Sequence, residues 1–158
     1  DNEEKFKCYV ANDNSIGQVV VSGNISELNK FSEELKINKI KNIKLPVSAP
    51  FHCELMKSAS EKMREEINKT EFKKPEINII SNVTAKQIND TLDIKKLLIE
   101  QIEKPVRWRE IVINMIDSKV EKFIEIGPGK VLSGLVKRIN SNVELIQIND
   151  LEDINKLI

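Results

Sequence analysis

"KFIEIGPGKVLSGLVKRINSNVELIQI", residues 122–148, decides how this chain folds. It opens as a strand rich in apolar residues and is stopped by Gly127-Pro128-Gly129, which cannot continue a ladder. Val131, Leu132, Leu135, Val136 and Ile139 then fall on one face at helical spacing. "VELIQI" (143–148) reads as a second strand. A strand, a glycine turn, an amphipathic helix and another strand predict two parallel strands joined by a helical crossover, the unit of an α/β fold.

Working outward, "INIISNV" (77–83) is an unbroken apolar run that predicts a buried parallel strand. Asp90 or Thr91 opens a helix carrying Leu97, Leu98 and Ile102, and Pro105 restarts the chain as the next helix. After Pro50, Leu55, Ala59, Met63 and Ile67 recur every fourth residue as the apolar face of a helix. A short C-terminal helix follows residue 148. Further upstream, "KCYVAND" (7–13) and "GQVVVSG" (17–23) predict two strands joined by a polar turn. Asn24 with Glu27 has capping-box spacing for a helix whose stripe is Leu28, Phe31 and Leu35. "IKNIKLPVS" (40–48) predicts another strand. Residues 1–47 thus form part of a split β-α-β layout, and residues 48–158 a parallel sheet covered by helices. Both blocks read as incomplete, and the chain starts at Asp1 without an initiator methionine. A C-terminal fragment is the expectation.

Composition excludes several classes of function. Lys and Arg number 25 and so do Asp and Glu, a zero formal charge that offers no footprint for nucleic acid or an anionic membrane. Aromatic residues make up 4% of the chain, too few for base-stacking surfaces. No apolar run approaches the roughly 20 residues that span a bilayer. Cys8 and Cys53 lack metal-ligand spacing and read as free thiols in a reducing compartment. No metal site is expected.

"LPVSAPFHCELM" (45–56) holds the only histidine, His52. An imidazole can take and return a proton near neutrality, so His52 is a candidate general base; a lone histidine is more often structural, and both readings stand on the residues alone. Cys53 does not complete a dyad with it, because adjacent helical positions point about 100° apart. "GPGKVLSGL" (127–135) has a shape that suits phosphate at a helix N-terminus. Its spacing matches neither the P-loop nor the dinucleotide fingerprint, and a plain strand-to-helix connection explains it as well. Asn12, Asn14 and Gln18 in "ANDNSIGQ" (11–18) either shape a turn or present amides to a ligand. No Gly-x-Ser-x-Gly nucleophile elbow occurs in the chain.

Taken in order, "ANDNSIGQVVVSGN", "LPVSAPFHCELM", "EQIEKPVRW" and "FIEIGPGKVLSGLVKRI" resemble the C-terminal half of the malonyl-CoA:acyl carrier protein transacylase family, over about residues 7–150. The resemblance implies part of an α/β-hydrolase-like parallel-sheet domain (48–158) and part of a ferredoxin-like small subdomain (1–47). It implies transfer of malonyl from malonyl-CoA to acyl carrier protein by a Ser-His dyad in a monomeric, cytoplasmic enzyme of fatty acid biosynthesis, with no cofactor. By resemblance His52 is the base, and the backbone carbonyl of Gln101 orients its ring. Asn12, Asn14 and Gln18 would line the acyl and pantetheine path, Phe51 the acyl chain, and Val131 the pocket. The serine and the arginine that grips the malonyl carboxylate are expected before residue 1, so the fragment alone is expected to be inactive. Arg107 and Arg109 are expected to be structural. Two other classes are a polyketide synthase acyltransferase domain and a non-enzymatic ferredoxin-like regulatory module.

Overall fold

A computed structural model describes residues 5–155 and places them in an α/β arrangement. Strands β1 (Cys8–Ser15) and β2 (Gln18–Gly23) form an antiparallel hairpin, with irregularities in register between Val10 and Asn12 and between Asp13 and Ser15. Gly17, at φ +75°, supplies the left-handed residue that the tight connection needs. Helix α1 (Ile25–Ile37) packs against the hairpin through the half-buried Leu28, Phe31 and Leu35. The Phe31 ring lies 5.4 Å from that of Phe6.

Helix α2 (Lys57–Lys69) leads to a minimal hairpin of β3 (Ile79–Ile80) and β4 (Gln87–Ile88). Helices α3 (Thr91–Glu100) and α4 (Trp108–Asp117) precede β5 (Lys122–Ile126), α5 (Val131–Ile139), β6 (Glu144–Ile148) and α6 (Leu151–Asn155). β5 and β6 pair in parallel from Lys122↔Glu144 to Ile126↔Ile148, the crossover that the 122–148 stretch predicts. Asp90 caps α3 by accepting from the backbone N–H groups of Leu92 and Asp93.

Four local expectations are corrected. No strand forms over 40–48: Ile43 and Val47 are 75% and 63% exposed, and Ser32 and Asn42 pin the segment to α1 by hydrogen bonds instead. The 77–83 run is no buried parallel strand. At Ser81–Ala85 the chain turns, with Ala85 at φ +55°, and doubles back as an antiparallel pair that leaves Ile77 78% exposed. Asn24 sits at the N-cap of α1, yet its side chain makes no capping bond, and Glu27 pairs with Lys30 instead. Pro105 does not open α4. The next residue, Val106, is drawn into a parallel bridge with Asn12: its N–H donates to Ala11 O (2.8 Å) and its carbonyl accepts from Asp13 N (2.9 Å), which delays the helix to Trp108.

The core runs through Cys8 and Ala11 on β1, Ile94 and Ile99 on α3, Ile111 and Val112 on α4, and Leu135 and Val136 on α5. The helical crossover therefore packs against the hairpin as well as against its own strands. Ile124 and Ile126 on β5 remain 50% and 78% exposed. An open groove of about 720 Å³ runs beside Ile124, lined by Trp108, Phe123, Leu132 and Val136 among others. Among the described residues, no helix is long and apolar enough to cross a membrane.

Candidate active site

The segment between Pro50 and α2 is a sequence of tight reversals. Phe51 N–H donates to Ala49 O (3.0 Å), His52 takes φ +62°, and Cys53 returns to extended backbone before a 3₁₀ turn over Glu54–Met56. Lys39 and Lys119 also have positive φ, but they follow helix C-termini, where a left-handed residue commonly ends the helix. His52 stands before a helix. A β-carbon in that region costs about 1–2 kcal/mol, and such strain persists only where surrounding contacts impose it.

Contacts with the C-terminal end of α3 impose it. His52 Nδ1 lies 2.6 Å from the main-chain oxygen of Gln101, the C-cap of α3. A carbonyl only accepts, so Nδ1 carries the hydrogen, and the neutral ring presents the Nε2 lone pair away from α3. The last carbonyls of a helix have no partner within it, which leaves Gln101 O available to the His52 ring. His52 N–H donates to Ile102 O at 3.2 Å. The Gln101 side chain is held in turn, its Oε1 accepting from Asn82 Nδ2 at 3.3 Å.

Cys53 is 2% exposed, and its thiol donates to Pro50 O at 3.1 Å. Burial first, and Glu54 in addition, push the thiol above its ordinary range against a smaller opposing contribution from the Leu55 backbone. It therefore has little thiolate character. Tyr9 donates its phenolic hydrogen to Glu54, and that bond is the main reason its pKa is pushed up to about 12.

The remaining candidate residues lie on several different elements. Phe51 precedes the base and is 49% exposed. Asn12 lies at the bridge to Val106, with Asn14 two residues on in the same strand. Gln18 Oε1 accepts from Arg138 on α5, an exposed bond that ties the hairpin to the helical crossover. Val131 begins α5 and is 72% exposed. Arg109 forms a two-pronged ion pair with Asp13, Nε to Oδ1 at 2.9 Å and Nη2 to Oδ2 at 2.6 Å. Arg107 pairs with Glu110 at 2.6 Å. Both guanidinium groups are committed within the chain.

The glycine turn has no vacancy for phosphate. Leu132 N–H and Ser133 N–H, the donors that would receive an anion, already bind the Glu125 carboxylate at 3.0 and 2.7 Å. Burial raises the Glu125 pKa, but the bonds from Ser133 and the neighbouring backbone outweigh it and leave the carboxyl below its ordinary range. Glu125, like Ser22 and Asn82, is not among the candidates that the sequence offers, and Ile102 enters there only as a helix-face residue. Glu125 alone gave a signal, as the one acidic residue inside an apolar strand run just before a helix.

A family model described as acyl transferase domain matches residues 3–150, and the chain belongs to that family. It is 45% identical over 153 residues to the malonyl CoA-acyl carrier protein transacylase of Bacillus subtilis, covering 96% of this chain and 48% of that protein. Among solved structures, the malonyl CoA-acyl carrier protein transacylase of Clostridium perfringens matches with a TM-score of 0.92 at 42% identity, over 99% of this chain and 51% of that one. A type II PKS acyl-carrier protein in complex with its malonyl-transacylase matches with a TM-score of 0.91 at 32% identity, over 98% of this chain and 53% of the other. The chain spans about half the length of the curated relatives it matches.

Proposed function

We propose that the polypeptide carrying this chain transfers malonyl from malonyl-CoA to the phosphopantetheine thiol of acyl carrier protein, in fatty acid biosynthesis, with His52 as general base. The observation that carries the reading is the 2.6 Å contact between His52 Nδ1 and Gln101 O, which leaves Nε2 as the basic atom. The names of the relatives supply the substrate class.

The chemistry follows from that tautomer. A serine hydroxyl is a weak nucleophile until an adjacent base takes its proton. In this reading Nε2 accepts the proton as the serine oxygen bonds to the thioester carbon. The imidazolium returns the proton to the departing coenzyme A sulfur as the tetrahedral adduct collapses to a malonyl ester. In the second half the pantetheine thiol gives its proton to Nε2 and attacks the ester, and the serine oxygen leaves with that proton. A neutral carbonyl stabilises the imidazolium less than a carboxylate does, and an activated thioester demands less of its base than an amide.

No Gly-x-Ser-x-Gly occurs in the 158 residues, so the nucleophile is assigned to polypeptide outside them. The malonyl carboxylate calls for a guanidinium fork. Arg109 and Arg107 are already paired with Asp13 and Glu110, so that partner is also assigned outside. Asn12, Asn14 and Gln18 are assigned to the pantetheine path, Val131 to the pocket and Phe51 to the acyl group. Residues 1–47 are read as part of a ferredoxin-like subdomain and 48–158 as part of an α/β-hydrolase-like domain, in a monomeric cytoplasmic enzyme.

Mass spectrometry after incubation with malonyl-CoA tests the reading. The full-length polypeptide containing residues 1–158 should acquire one malonyl ester on a serine and lose it on addition of acyl carrier protein. Residues 1–158 alone should acquire none. A stoichiometric adduct on residues 1–158 alone, or none on the full-length polypeptide, overturns it.

A further inference from the structure

The peptide unit joining Phe51 to His52 is held at both ends by different parts of the fold. Its oxygen accepts from Ser22 Oγ on β2 at 2.7 Å. Its N–H donates to Ile102 O, beyond the end of α3, at 3.2 Å. A peptide unit is planar and rigid, so fixing both of its polar ends fixes the plane from which the His52 N–Cα bond departs. With the ring held by Gln101 O, rotation about that bond is set at φ +62°. Two of the three anchors belong to one end of one helix. The third is a side chain of the hairpin.

The hairpin reaches this turn at a second point. Ser22 and Tyr9 are directly opposed across the β1–β2 ladder, and residues so paired share one face of a sheet. Ser22 binds the Phe51 carbonyl while Tyr9 binds the Glu54 carboxylate, so one cross-strand pair grips residues 51–54 on either side of the base. Ser22 is 9% exposed. A buried hydroxyl needs some partner, but this partner is the carbonyl immediately preceding a strained histidine.

We propose that Ser22 is a positioning residue for His52: its hydroxyl makes the orientation of the base depend on where the β1–β2 hairpin sits. This rests on the reading of His52 as general base. Without the hydroxyl, the Phe51 carbonyl loses its anchor, the peptide plane can rotate, and the left-handed conformation relaxes. The ring then leaves Gln101 O, and both imidazole tautomers become accessible.

The test uses the full-length polypeptide containing residues 1–158, with the variants Ser22→Ala, Ser22→Thr and His52→Ala. Ser22→Ala should lower kcat about 3- to 30-fold, short of the roughly 10²-fold that a full ångström of misplacement costs, with KM for malonyl-CoA unchanged within twofold. Ser22→Thr keeps the hydroxyl and should restore kcat. Long-range ¹H–¹⁵N spectra, with the His52 signals assigned by their loss in His52→Ala, should show a single Nδ1–H tautomer in the parent and a mixture in Ser22→Ala. The proposal is overturned if Ser22→Ala keeps both its kcat and the parent ring spectrum, or if it loses only thermal stability. Normal transfer by His52→Ala would instead sink the general-base reading, while the ring spectrum of Ser22→Ala would still decide whether Ser22 positions the imidazole.

Discussion

The two turns that lead into helices α2 and α5 resolve the same backbone problem in opposite ways. At residues 127–130 the chain needs positive φ twice and places glycine at both positions, Gly127 at +136° and Gly129 at +92°. The donors at the following helix end are filled by the chain's own Glu125. At residue 52 the chain needs positive φ once and places a histidine there, at +62°. Its ring is tied by one nitrogen, with the other in the basic tautomer. Glycine makes a left-handed position inexpensive; a histidine there gives up about 1–2 kcal/mol. The difference separates a turn built for connection from a turn built to hold an imidazole.

The largest effect that bears on this contrast is on turnover. In the full-length polypeptide, His52→Ala should cut malonyl transfer by roughly 10²–10⁴, the range for loss of a general base. His52→Gly should be just as inactive yet about 1–2 kcal/mol more stable than His52→Ala, because glycine accepts the left-handed conformation without strain. Equal stability of the two variants, measured by denaturant unfolding, would remove strain from the comparison. Next in size is selectivity. Phe51→Ser should raise the methylmalonyl-to-malonyl ratio of kcat/KM about 10- to 200-fold, the scale of one-carbon discrimination. An unchanged ratio together with a lower Tm would reduce Phe51 to packing.

The smallest effect belongs to the glycine turn. Glu125→Ala should cost about 0.5–2 kcal/mol, as the loss of a helix N-cap does, and leave the transfer reaction running. The folded carboxyl lies below its ordinary value. Its contribution is therefore fully present above that value and disappears as the pH falls through the lower, folded one. Stability measured against pH should show this loss on the acid side in the parent and lack it in Glu125→Ala. An identical acid limb in both proteins would mean that Glu125 does not cap α5.

How much of this was legible beforehand depended on whether the signal was local. The 122–148 crossover carried its own periodicity and punctuation, and it folds as read. The runs at 40–48 and 77–83 had strand-like composition, but a strand exists only where a partner accepts its ladder. The first finds none among the described residues, and the second meets a turn at Ser81–Ala85. Pro105 reads as a helix start, but Val106 pairs with Asn12 of β1, far upstream in the chain, and a pairing between such distant segments leaves no local signal. At the site, His52 stood out because the chain has no other histidine. Its left-handed φ and the Ser22 anchor had no trace in residue type, since serine in a strand and phenylalanine after proline are ordinary.

Two of the three atoms that orient His52, the oxygens of Gln101 and Ile102, belong to the main chain. Such oxygens have no codon. A nucleotide change at position 101 or 102 exchanges a side chain and leaves the acceptor in place, so these two supports are nearly immune to point mutation. Ser22 is encoded, and a single base change can delete its hydroxyl. The geometry of the base is therefore inherited unequally, with the hairpin anchor open to loss by one base change while the helix-end anchors persist for as long as the backbone keeps its path.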